Sequence, residues 1–378
     1  MSDHDVVHEA IERLEWDERT DEPTPSERWR GLTRRTALTG GAAGMAAFLL
    51  NACGGGDDGK TSTAAQNGGS PASGVFGEGN ELKFTFVNHV TTNPFFVPTK
   101  YGADDACKLL GCSYQWTGSE SSNVNEMVNA FNSAISAKVD GIAVALVDLK
   151  AFNGPIKKAL DAGIPVVGYN ADAPDSGRLA YIGQDLFVSG QEMGKRIVDL
   201  VGSGDVALFI ATPGSLNIQP RIDGAIDTIK SGGSVTSHTV ATGAALPKEL
   251  STIDAYWLGH KDTKGMFAVD AGSTQGVAQV IKKYKLRDKG IKGGGYDLLE
   301  PTIDLLADGQ IDFTIDQQPY LQGFYPVFQL FMYKASQTLT GVADINTGLK
   351  FLDKETVKPY VSTKSRYEGS SKSAGVTS

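Results

Sequence analysis

Cysteine is scarce, three in 378 residues, and none stands in a Cys-x-x-Cys pair. That excludes a disulfide-stapled scaffold and the common zinc ribbons. No Gly-x-Ser-x-Gly stretch is present, so the nucleophile elbow of the α/β hydrolases is absent. No run is rich in lysine or arginine and the formal net charge is −9, which argues against a surface that tracks phosphates and so against nucleic acid as a partner. Long apolar runs are missing too: the best, residues 37–50, has fourteen residues, short of the roughly 20 needed to span a bilayer as a helix. Gly54-Gly55-Gly56-Asp57-Asp58-Gly59-Lys60-Thr61 has the letters of a phosphate-binding loop, but Ser62-Thr63-Ala64-Ala65-Gln66-Asn67-Gly68-Gly69-Ser70-Pro71 follows it. Such a segment cannot supply the helix N-terminus on which phosphate binding depends. No cofactor is therefore expected.

The N-terminal residues read as an address. Arg34-Arg35 precedes the weakly apolar run, which ends in Leu50-Asn51-Ala52-Cys53. A twin-arginine signal over residues 1–52, with Cys53 as the lipidated first residue of the mature chain, fits that order. The leader is unusually acidic, with ten acids against six arginines. Residues 53–79 are Gly-, Ser-, Thr- and Asn-rich and cannot bury enough apolar surface to fold, as a tether would require. Residues 362–378 read as a disordered tail. Cys107 and Cys112 flank Gly111 at the end of an expected helix, and either two buried thiols or a disulfide fits that spacing.

From residue 81 short β-branched or aromatic runs alternate with helical periods, the signature of a doubly wound, mainly parallel sheet. Strands are expected at 83–88, 113–116, 141–145, 165–169, 206–210, 266–269, 291–295 and 312–315, and a second series begins near Gly204. Asn93-Pro94 and Pro213 precede helical periods, and Gly111 and Gly163 close them. Val128, Phe131, Ala134 and Ile135 form one core stripe; Leu299, Ile303 and Leu305 form another. Two α/β halves with no linker of their own predict two Rossmann-like lobes that share a hinge.

Open parallel sheets bind ligands at the carboxyl ends of their strands. The polar and aromatic residues expected there are His89, Asn93, Phe95, Phe96, Asn170, Asp172, Asn217, Gln219, Arg221, Asp270, Asp297 and Gln317. Amides, carboxylates and one arginine suit a polyhydroxylated ligand, because each hydroxyl both donates and accepts while an aromatic face covers C–H groups. Competing structural readings exist for several. Asn93, Asp270 and Asp297 could be helix caps, Arg221 could pair with Asp223 or Asp227, and His89 could be an ordinary core histidine.

The ordered set Asn93-Pro94-Phe95-Phe96, Gly163-Ile164-Pro165-Val166, Gly294-Gly295-Tyr296-Asp297 and Thr314-Ile315-Asp316-Gln317-Gln318-Pro319 resembles the ribose-binding-like sugar-binding proteins of type I, over about residues 81–345. The resemblance implies a monosaccharide-binding component of an ABC importer, a monomer of two lobes joined by three crossings, working with a membrane permease and a separate ATPase. It implies one lobe from 81–185 plus 317–345 and a second from 186–316 plus 346–361. Asn93 would bond ring hydroxyls, Phe95 and Phe96 would cover the sugar, and Asp270, Asp297 and Gln317 would accept or donate from the second lobe and the hinge. The family's pentose-binding members carry Asp-Arg after the fourth strand, where Asn170-Ala171 stands here, and their second-lobe arginine falls on Gln219, with Arg221 two residues on. An inositol, a furanose signal molecule or a nucleoside stacked on Trp116, Tyr169 or Trp257 is the alternative ligand. A secreted hydrolase using Asp270 and Asp297 is the alternative activity. A DNA-binding regulator would need a helix-turn-helix where the leader stands.

Overall fold

A computed structural model describes residues 81–363. The twelve strands among these residues fall into two six-stranded sheets. The first is built on β1 (Lys83–Asn88), β2 (Ser113–Gly118), β3 (Gly141–Val144), β4 (Val166–Tyr169), β5 (Tyr181–Gly183) and β11 (Ile345–Asn346), in the order β11-β5-β4-β3-β1-β2. The second holds β6 (Gly204–Ile210), β7 (Val235–Ala241), β8 (Gly265–Ala268), β9 (Lys292–Tyr296), β10 (Phe313–Asp316) and β12 (Lys350–Leu352), in the order β12-β10-β9-β8-β6-β7. All pairings are parallel except β10 with β12. Each sheet thus repeats the doubly wound order in which the first strand lies inside the second.

The central strands are buried on both faces, as parallel strands between helical layers must be: all four residues of β3, β4 and β8 are buried. The helices among the described residues are α1 (Val97–Leu110), α2 (Val124–Ser136), α3 (Asn153–Asp161), α4 (Leu186–Val201), α5 (Gln219–Gly232), α6 (Leu246–Gly259), α7 (Ala271–Lys283), α8 (Glu300–Ala307), α9 (Leu321–Ser336) and α10 (Lys358–Thr363). Helix α2 starts where the Asn123 side chain accepts from the N–H groups of Asn125 and Glu126. It buries Met127, Phe131, Ala134 and Ile135, so Met127 takes the place expected of Val128, which is only partly buried. Pro213 lies in a turn rather than at a helix start; α5 begins at Gln219, with Pro220 in its first turn.

Helix α1 ends at Gly111, whose φ of 70° is left-handed, and the Cys112 N–H donates to the Cys107 carbonyl at 3.1 Å. This turn brings residues five apart together, so the spacing is no obstacle to contact. Both thiols are free, and the hydrogen bond between them pushes Cys107 up and Cys112 down.

The chain passes between the sheets three times, at residues 184–185, 317–320 and 347–349. Helix α9 follows the second crossing and returns to the first lobe, where it lies against α1. A Cβ on Gly102 would stand 2.0 Å from the Tyr320 carbonyl oxygen, and one on Gly323 would stand 1.8 Å from that of Thr99. Only hydrogen at those positions allows the two backbones to meet.

Candidate functional site

The carboxyl ends of β1, β4, β6, β8, β9 and β10 supply nearly every polar group singled out in the sequence. Three non-glycine residues take left-handed φ at or just beyond these ends: Asn170 at 63°, Asp297 at 72° and Gln318 at 60°. Asn and Asp tolerate this region better than other residues, and such strain concentrates where a fold must aim a side chain.

A buried polar chain spans the crossings. Asn170 Nδ2 donates to Gln322 Oε1 at 3.1 Å. Gln322 Nε2 is within 3.1 Å of both the Gln317 carbonyl and Gln317 Oε1, and Gln317 Nε2 donates to Asp297 Oδ1 at 2.7 Å. Thr347, on the third crossing, closes the chain by donating its hydroxyl to the Gln317 carbonyl at 2.8 Å. The chain links the end of β4 in the first lobe to the end of β9 in the second. Burial lifts Asp297 to about 7, against the opposing pull of Arg221 and the Gln317 hydrogen bond.

Arg221 is only 2% exposed. Helix α5 holds it there by lying tightly on α4: a Cβ on Gly190 would stand 2.2 Å from the Arg221 carbonyl oxygen. Its guanidinium lies 4.1 Å from the centre of the Tyr296 ring, and Nη1 donates to the Val269 carbonyl at 2.9 Å. Nε and Nη2 are buried and have no partner. The pairing with Asp223 or Asp227 does not form, since Asp223 accepts from Gln219 and Asp227 from Gln191.

His89 faces the second lobe. The Asn217 Nδ2 amide lies 3.1 Å from His89 Nε2, which makes Nε2 the acceptor and leaves the ring proton on Nδ1. Nδ1 is buried and unpartnered, and burial pushes the imidazole down to about 4, so it is neutral. Its ring meets Phe96 edge to face at 5.3 Å, and Phe96 meets Phe95 at 4.8 Å. His89, Asn93, Asn217 and Asp270 line one small cavity of about 50 Å³ between the lobes. The Leu216 N–H donates to the Val147 carbonyl at 3.0 Å, a second contact across this cleft.

Some expected site residues are engaged elsewhere. Asp172 forms a bidentate ion pair with Arg178 at 2.5 and 2.6 Å, beside a separate groove that also takes in Tyr181, Asp185 and Pro220. Gln219 is spent on its own helix start, accepting from the Gly214 N–H at 2.7 Å and donating to Asp223 at 2.8 Å. Of Gln219 and Arg221, Arg221 is the one that is buried with donors left over. Asp270 caps α7, accepting from the Ser273 N–H at 2.8 Å and the Ala211 N–H at 3.0 Å. Asn93 caps its own turn through the Phe95 N–H at 2.9 Å while still lining the cavity.

The aromatic residues that could have stacked a nucleobase are occupied. Tyr169 is fully buried and accepts from Asn88, Trp257 sits in the second lobe's core, and Trp116 packs on Phe86 and Phe96. Gln322, Thr347 and Arg178 were missed in the sequence, because nothing local distinguishes a buried glutamine or arginine from an exposed one.

Two α/β lobes joined by three crossings, with buried polar groups converging at the strand ends between them, define a type I binding fold. Residues 84–365 match the model of the periplasmic binding protein domain, and the chain belongs to that family. The resemblance to type I sugar-binding proteins read from the sequence is borne out. The chain is 49% identical over 367 residues, 90% of each chain, to the xylose/arabinose-binding protein XylF of Sulfolobus acidocaldarius. Among solved structures it is similar to an ABC transporter solute-binding protein of Burkholderia graminis in complex with D-arabinose, at 27% identity and a TM-score of 0.70, covering 74% of this chain and 98% of that one. It is also similar to GanP, a glucose-galactose binding protein of Geobacillus stearothermophilus, at 26% identity and a TM-score of 0.66, covering 73% and 98%.

Proposed function

We propose that this chain is the extracytoplasmic substrate-binding component of an ABC importer and holds an aldopentose of the xylose/arabinose type between its lobes. The observation that carries the reading is a set of buried polar atoms left without partners, at two strand ends and on α5: Asn170 Oδ1, His89 Nδ1, and Arg221 Nε and Nη2. Folded chains rarely leave such groups unsatisfied, and together they ask for a ligand that both donates and accepts. A sugar does both. The high identity to a xylose/arabinose-binding protein supports the pentose.

The geometry favours capture over catalysis. Asp270, one half of the carboxylate pair a hydrolase would need, has both oxygens committed to backbone N–H groups. The lobes, expected at 81–185 with 317–345 and 186–316 with 346–361 and differing in that Asn346 belongs to the first through β11, open about the three crossings to admit sugar. They close on it because the contacts that hold it exist only when the lobes meet. The protein acts as a monomer, presenting the closed lobes to a membrane permease driven by a separate ATPase. The twin-arginine signal at Arg34-Arg35, the lipid on Cys53 and the tether 53–79 lie outside the described residues, as does the tail expected at 362–378 save for residues 362 and 363, which close α10 instead; export by that route and anchoring through that cysteine complete the proposal.

Thermal unfolding of the purified protein against pentoses, hexoses, inositols and nucleosides tests it. A ligand at a hundred times its dissociation constant adds about 2.7 kcal/mol and should raise the melting temperature by about 5 °C. D-xylose or L-arabinose should give that rise. A shift with a nucleoside or inositol alone, or with nothing, overturns the assignment.

A further inference from the structure

Glu249 stands in the first turn of α6, in the second lobe, outside the groups considered above. It is 4% exposed, and its Oε2 is buried without a hydrogen-bond partner. It lines the small cavity beside His89, Asn93, Asn217 and Asp270, and also a neighbouring cavity of about 210 Å³ that runs outward past Thr92, Glu120 and Leu299. Val90, Asn93, Ala244 and Gly272 are common to both linings, so Glu249 stands on the wall that joins them.

The carboxyl has been given room. A Cβ on Gly272 would stand 1.5 Å from Glu249 Oε2, so no other residue could sit on that turn of α7 beside it. Asp270, two residues earlier, adds repulsion to burial, and the two lift Glu249 to about 8. A side chain kept buried, unpaired and next to a second acid gains nothing for stability where it is. A glutamate at such a position is accounted for by a partner that arrives later.

We infer that Glu249 is a specificity-determining contact for the bound sugar, its carboxyl meeting one ring hydroxyl from the second lobe at the outer wall of the cleft. This rests on the pentose reading of the same cleft. A carboxyl meets a hydroxyl in either protonation state, and a wall residue reads the configuration of one ring carbon rather than the whole ring. Discrimination between epimers, more than affinity for all sugars alike, is what it contributes.

The test is a cycle of Glu249→Ala and Glu249→Gln against D-xylose, L-arabinose, D-ribose and singly deoxygenated pentoses, with binding measured by calorimetry. Wild type should lose at least tenfold in affinity for the one deoxy sugar that lacks the contacted hydroxyl. Glu249→Ala should lose about as much for the parent sugar and show no further loss for that deoxy sugar, while remaining additive for the others. The order of preference among the epimers should change in both variants. Wild type binding no pentose would defeat the functional reading itself. Wild type binding a pentose, with both variants within twofold of it for every sugar, would leave that reading intact and overturn the role of Glu249. Glu249→Gln keeps the side chain's shape, so it decides the matter if the alanine variant fails to fold.

Discussion

Replacing Asp297 by asparagine should change how stability depends on pH. The Asp297 carboxyl stands at about 7 in the folded chain against an ordinary 3.8, mainly because burial penalises its charge. A folded value above the unfolded one stabilises the protein fully below the unfolded value and loses that contribution as pH rises through the folded one. At 5% exposure little solvent screening reduces the effect, and the contribution lost between pH 4 and 8 is about 4 kcal/mol. His89 works the other way: lowered from 6.5 to about 4, it costs the fold about 3 kcal/mol as pH falls from 6.5 to 4. Over the same window the two slopes oppose each other. Asn at 297 keeps the acceptor for Gln317 Nε2 and cannot ionise, so Asp297→Asn should remove one of the two carboxyl contributions that oppose the histidine, leaving Glu249 against His89. Urea unfolding at pH 4, 5, 6, 7 and 8 reads this directly. The variant should gain on wild type by several kcal/mol between pH 4 and 8 while its sugar affinity falls. Parallel pH profiles for the two proteins would refute the reasoning, since they would mean that the carboxyl is not held protonated by its surroundings.

Two further outcomes follow from the same geometry. Arg221→Met removes a buried charge with two unpartnered donors and should leave unfolding of the sugar-free protein unchanged or stabilised by about 1–3 kcal/mol. Its affinity for sugar should fall at least a hundredfold by calorimetry, and a variant that binds normally would show that those donors serve no ligand. Gln322→Leu strands Asn170 Nδ2 and Gln317 Oε1 and should cost about 2–4 kcal/mol in urea unfolding; a neutral result would show that the chain across the crossings contributes nothing.

The fold was legible because parallel sheets write themselves plainly. Val166, Val167 and Tyr169, or Phe267 and Ala268, are buried whichever way they point, so their apolar runs stand out from the helical periods around them. The strands that escaped notice lack that signal. β7 reads Val-Thr-Ser-His-Thr-Val-Ala on an exposed edge, β5 has three residues, and β11 and β12 depend on partners far away in sequence. The strand ends pointed to Arg221, Asn170, Asp297 and Gln317 because ligand groups in open sheets gather there. Whether each aspartate caps a helix or faces the cleft was not legible. Asp270 and Asp297 both follow a strand, and only the three-dimensional placement of Ala211, Ser273 and Gln317 separates a cap from a buried acid.

Gln322 and Glu249 mark a different limit. Each lies in the first turn of a helix, where polar residues are ordinary, and neither belongs to a motif. Gln322 is buried only because Gly102 and Gly323 let α9 sink onto α1, and Glu249 only because Gly272 leaves a space on α7. Gly102 is distant in sequence from Gln322, and Gly272 from Glu249, so a glycine that makes the room lies outside the element that carries the side chain. A sequence read one element at a time finds the polar groups that close a strand and passes over those whose burial depends on a second helix.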